Sequence, residues 1–107
     1  MQVISEKDIK KKTVIGEKGK VEIMDFLEKP GMIIGTRIVP PNSSVPPKPH
    51  SHKLRQINYV IEGEPTLTNG KESIKLKKGD FVILESFEEH YYSTTDGPAH
   101  VFEVQFE

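Results

Sequence analysis

The chain contains no cysteine. Disulfides and thiolate chemistry are therefore excluded, and any metal must be held by imidazole, carboxylate or amide groups. A reducing, cytoplasmic setting is compatible with that absence. Long apolar runs are missing too. The longest span about four residues, such as Phe81-Val82-Ile83-Leu84, against the roughly 20 that a membrane-spanning helix needs. The first residues, MQVISEKDIKKK, carry charges where a signal peptide would have its apolar stretch. There is no surplus of charge either. The net charge is −1, and the small basic clusters at Lys10-Lys11-Lys12 and at Lys75, Lys77 and Lys78 read as solvated faces. Neither nucleic acid nor a membrane is expected as a partner. Repeats and low-complexity tracts are absent, and helical periodicity is thin. Only Ser5-x-x-Asp8 offers a cap, for one short turn near Ile9.

What remains fits one domain, residues 1–107, of ordinary soluble composition with 29% charged and 35% apolar residues. Five of the eight prolines fall in Pro40 to Pro49, PPNSSVPPKP. Locked φ angles and missing N–H groups exclude helix and central strand there. The segment is expected to be a stiff extended loop that delivers the chain to His50. A polyproline ligand for another protein is the alternative.

The rest reads as short strands between turns. Apolar-rich runs cover Val21 to Leu27, Met32 to Val39, Gln56 to Ile61, Phe81 to Leu84, His90 to Thr95 and Val101 to Phe106. Thr66 to Thr68 and Ser73 to Leu76 read as a hairpin, with Asn69-Gly70 supplying a type I′ turn. In the last strand His100, Phe102, Val104 and Phe106 share one face, opposite Val101, Glu103, Gln105 and Glu107. His100 is therefore expected on a core face. This pattern predicts an all-β sandwich or barrel.

Two of the four histidines form His50-x-His52. In a strand, side chains at i and i+2 share a face, roughly 6.5–7 Å apart, and both imidazoles can reach one ion. Gln56 keeps the same parity. By itself such a pair is a weak signal. In a wider frame the chain resembles the cupin superfamily. Its motifs are G-x5-H-x-H-x3,4-E-x6-G and G-x5-P-x-G-x2-H-x3-N. His50, His52, Gln56 and Gly63 reproduce the first spacing, and Gly79 and His90 the outer spacing of the second. Ser44, Glu85, Phe87 and Thr94 stand where the motifs have glycine, proline, glycine and asparagine.

The resemblance covers roughly residues 34–106 and implies a double-stranded β-helix (jelly-roll barrel), with a core over residues 32–106. It implies a metal held by His50, His52, Gln56 and His90. Gln56 replaces the usual glutamate, so the set is neutral. Imidazole then dominates selectivity, which favours Zn, Ni, Fe, Co or Cu over Mn. Tyr92 shares the parity of His90, and Asn58 that of Gln56; both are candidate substrate-binding residues. Catalytic residues are not assigned. Arg37 is read as a surface residue, with bidentate capture of a carboxylate as its alternative. Glu88 and Glu89 are read as rim charges.

The implied function is that of a divalent-metal-dependent lyase, isomerase or dioxygenase acting on a small oxygen-rich molecule such as a sugar acid. A non-catalytic sugar- or ligand-sensing module is the alternative. A homodimer is expected, with residues 1–20 contributing to it, since such barrels commonly pair through their sheets.

Overall fold

The computed structural model describes all residues except Gly70, together with the side chains of all others but residues 47–50. Among the described residues, a 3-10 turn at Glu6–Asp8 is followed by ten strands in order: β1 Lys12–Ile15, β2 Lys20–Lys29, β3 Met32–Val39, β4 Ser44–His50, β5 Arg55–Glu62, β6 Thr66–Thr68, β7 Ser73–Lys75, β8 Phe81–Leu84, β9 His90–Ser93 and β10 Ala99–Phe106. They form a six-stranded sheet, β1-β2-β3-β10-β5-β8, and a four-stranded sheet, β4-β9-β6-β7. All pairings within them are antiparallel. This is the jelly-roll arrangement the short, turn-separated strands predict.

Between the sheets lie Val21, Val39, Val45, Val60, Leu67, Leu76, Leu84 and Ala99. Full burial of such side chains contributes about 1.5–3 kcal/mol each, which holds the two layers face to face. Glu62-Gly63 turns with Gly63 at φ +91°, and a Cβ there would meet the Pro98 carbonyl oxygen at 2.3 Å. Only glycine lets β5 pass that close to the start of β10.

Four local expectations change. The proline-rich segment is a strand rather than a loop from Ser44 onward, but β4 lies at the edge of its sheet, where missing N–H groups cost least. The 3-10 turn forms near Ile9, yet the Ser5 side chain makes no capping bond; its carbonyl accepts from Asp8 N–H at 2.9 Å instead. The β6–β7 hairpin pairs Thr68 with Ser73, so its connection is longer than a two-residue type I′ turn. Asn69 does not take positive φ; its side-chain oxygen accepts from Lys71 and Glu72 N–H at 3.0 and 2.9 Å. Gly70 itself lies outside the described residues.

The last correction concerns β10. Ala99, Val101 and Glu103 are buried, whereas Phe102 is exposed. The inward face therefore carries the glutamate, and His100 sits on the outer face of the sheet. Both faces of this strand hold apolar residues, so alternation alone does not say which one is inside.

Candidate functional site

His52 lies just beyond β4, Gln56 and Asn58 point inward from β5, His90 and Tyr92 from β9, and Glu103 from β10. They meet between the sheets. The β4–β9 pairing sets His50 opposite His90 along the backbone. The side chain of His50, a predicted ligand, lies outside the described residues. Among the described residues, no three His, Cys, Asp or Glu side chains group as a metal cage.

Backbone carbonyls set the imidazole tautomers. His52 Nδ1 donates to the Leu54 carbonyl at 2.7 Å, and His90 Nδ1 to the Glu88 carbonyl at 2.9 Å. In each neutral ring the lone pair is then on Nε2. The two rings lie edge to face with centroids 5.3 Å apart. Burial, followed by the neighbouring His52, lowers the His90 pKa below its ordinary value against the opposing pull of the Glu88 carbonyl.

Gln56 is buried, and its orientation is fixed by what its amide nitrogen touches. Nε2 donates to Asn58 Oδ1 at 2.7 Å and to Glu103 Oε1 at 3.1 Å. Its carbonyl oxygen is thereby turned to His52 Nε2, 2.9 Å away. With His52 neutral, these are two acceptors facing one another. A proton on His52 or a cation shared by both atoms reconciles them. This donor set therefore fits a metal: Nε2 of His52 and His90 and Oε1 of Gln56 are each oriented by a hydrogen bond made on their far side.

Glu103 is the residue that sequence reasoning missed. It is buried, and its Oε1 also accepts from Asn58 Nδ2 at 3.1 Å. Its Oε2 accepts from Gln105 Nε2 at 2.8 Å and pairs with Arg37 Nη2 at 3.0 Å. Arg37 also bonds Asp25 through Nη1 at 2.7 Å. Arg37 is thus largely buried rather than at the surface, because two inward carboxylates hold it there. Glu103 also gives a reason for the missing ligand carboxylate. A glutamate at position 56 would press two carboxylates together, where the amide instead donates.

Tyr92 and Asn58 occupy different surroundings. Asn58 is fully buried within the network just described. Tyr92 lines a cavity of about 190 Å³, together with Gln56, His90 and Glu103. Its hydroxyl is buried with no hydrogen-bond partner among the described residues. Burial, aided by the Glu103 charge, raises its pKa far above the usual phenol value.

The motif departures fall into place. Phe87 takes φ +63° at the glycine position, and its N–H donates to the His52 carbonyl at 2.8 Å. Thr94, at the asparagine position, accepts from Ser43 N–H at 3.1 Å and donates to the Pro40 carbonyl. Glu88 closes a local turn, accepting from Glu85 N–H at 3.1 Å, and Glu89 is exposed.

The family model described as Cupin domain matches residues 35–105. No curated protein sequence matches the chain significantly. Among solved structures, a predicted oxalate decarboxylase from Thermotoga maritima is similar with a TM-score of 0.86 at 23% identity, over 98% of this chain and 98% of that one. The polyketide cyclase of Streptomyces resistomycificus gives 0.83 at 20% identity, over 99% and 79% of the two chains. An RmlC-like cupin from Shewanella frigidimarina gives 0.77 at 14%, over 99% and 90%. At these identities the likeness shows the shared fold alone.

Proposed function

This chain belongs to the cupin family, and we propose that it holds one divalent transition metal through His50, His52, Gln56 and His90 and binds a small oxygen-bearing molecule beside it. One observation carries the reading: the inward orientation of His52 Nε2, His90 Nε2 and Gln56 Oε1, each imposed by a hydrogen bond on the far side of its group. A bound Zn, Ni, Fe, Co or Cu ion would polarise a ligand oxygen as a Lewis acid, which suits lyase, isomerase or dioxygenase chemistry. The chain's own residues hold and orient. Glu103 keeps the Gln56 amide turned, and Tyr92 offers an O–H to the cavity. Metal analysis of untagged protein is the test. About one equivalent is expected, and less than a tenth of an equivalent would defeat the reading.

A second reading, ligand capture without turnover, draws support from two features. Glu103 is engaged by Arg37 and three amide groups, and Tyr92 keeps its proton, so neither is a ready base.

We further propose a homodimer in a reducing cytoplasm, built on the outer face of the six-stranded sheet. Register aligns Thr36, Phe102, Tyr59 and Phe81 in one row and Ile34, Val104, Ile57 and Ile83 in the next. Phe102, Tyr59, Phe81 and Ile83 are exposed. Glu62 and Glu22, the latter paired with Lys20 at 3.6 Å, lie at one end of this face, and Lys29 and Arg55 at the other. A two-fold axis running across the strands sets each acidic end over the partner's basic end. Gel filtration at twice the chain mass is expected, and a monomer would refute the pairing.

A further inference from the structure

We infer that the cavity beside His90 selects an uncharged ligand with an apolar, single-ring-sized body and one oxygen acceptor, and discriminates against carboxylates, sugar acids included. The inference rests on the proposed ligand site but does not require the metal. Three observations carry it.

The first is the wall. Val21, Ile23, Val39, Val45 and Val101 line most of the cavity. A polyol placed there would leave most of its hydroxyls without partners. The volume of about 190 Å³ suits one ring, since an apolar cavity of about 150 Å³ is enough to bind benzene.

The second is charge. Arg37 stands at this wall, and it is already shared between Asp25 at 2.7 Å and Glu103 at 3.0 Å. Lys12 Nζ also faces Asp25 at 3.8 Å, so the group is close to balanced, and both terminal nitrogens of the guanidinium are already engaged. In the metal-free protein a ligand carboxylate there would sit beside Glu103 with no unengaged guanidinium to pair with.

The third is the Tyr92 hydroxyl, which is buried and has no hydrogen-bond partner among the described residues. Buried hydroxyls are normally bonded. A ligand carbonyl or hydroxyl oxygen that reaches it would complete it.

Three probes of similar shape separate these effects: acetophenone, benzoate and ethylbenzene. Each is titrated by ligand-observed NMR into protein stripped with EDTA, and into its Tyr92→Phe variant. Acetophenone is expected to bind about tenfold or more tightly than benzoate. Tyr92→Phe is expected to weaken acetophenone about two- to tenfold and to leave ethylbenzene unchanged. Benzoate binding as tightly as acetophenone, equal loss of ketone and hydrocarbon in the variant, or no binding of any probe overturns the inference. Zinc content after loading is measured separately. Zinc uptake together with a preference for benzoate sinks this inference alone, while acetophenone preference without zinc uptake sinks the metal reading alone.

Discussion

Arg37→Met tests the buried charge arrangement most directly. The guanidinium bonds Asp25 at 2.7 Å and Glu103 at 3.0 Å, and the three side chains are only 12%, 10% and 8% exposed. Methionine keeps much of the length and volume but removes the cation. Two carboxylates are then left close together, with the half-exposed Lys12, 3.8 Å from Asp25, as a weaker counter-charge. Breaking a buried pair by removing one partner costs about 3–5 kcal/mol, and with so little exposure solvent relieves only a small part of it. For a domain of this size each kcal/mol lowers Tm by roughly 4–8 °C, so a fall of about 12–40 °C is expected. Urea unfolding followed by circular dichroism measures the loss directly. Combining Arg37→Met with Asp25→Asn and Glu103→Gln removes the unpaired charges and should recover about half of the loss or more. A single-variant loss below about 1 kcal/mol, the range of exposed ion pairs, would refute the reasoning. The charges would then be screened by water or balanced by Lys12.

Three other outcomes are expected. Asn58→Leu removes one of the two acceptors for the Gln56 amide and a donor to Glu103; denaturant titration should show a loss of about 1–3 kcal/mol, and zinc affinity should fall about tenfold as Gln56 is held less firmly. Gln56→Glu sets a carboxylate where an amide now donates to Asn58 and Glu103. In EDTA it should cost about 1–3 kcal/mol, and zinc should restore part of that stability in a thermal-shift assay; no effect of zinc would argue against position 56 as a ligand. Gly63→Ala combines a φ of +91° with a Cβ 2.3 Å from the Pro98 carbonyl oxygen, so it should cost more than about 2 kcal/mol by urea unfolding.

Much of the barrel is legible in the sequence because its signals are local. Gly31, Gly63 and Gly79 mark turns and do take positive φ. The run Phe81 to Leu84 is bounded by turns and forms β8 as expected. The shared parity of His90 with Tyr92, and of Gln56 with Asn58, follows from strand geometry, and all four face inward. Spacing also brings His52, Gln56 and His90 onto neighbouring positions of the two sheets.

What the sequence could not reveal is which residues meet across strands far apart in the chain. Glu103 touches Gln56, Asn58 and Arg37 only because β10 lies between β3 and β5. Its inward direction is decided by the packing of the whole sheet, since the opposite face, with Phe102 and Val104, looks the more apolar of the two. Arg37 reads as a surface cation until Asp25 and Glu103 are brought beside it from two other strands. The sequence by itself determined most of the strands, the glycine turns and the inward side of Gln56, Asn58, His90 and Tyr92, because those depend on backbone geometry over a few residues. Tertiary structure alone decided the charge behind Gln56 and the apolar wall before it, because both arise from cross-strand neighbours that no local pattern encodes.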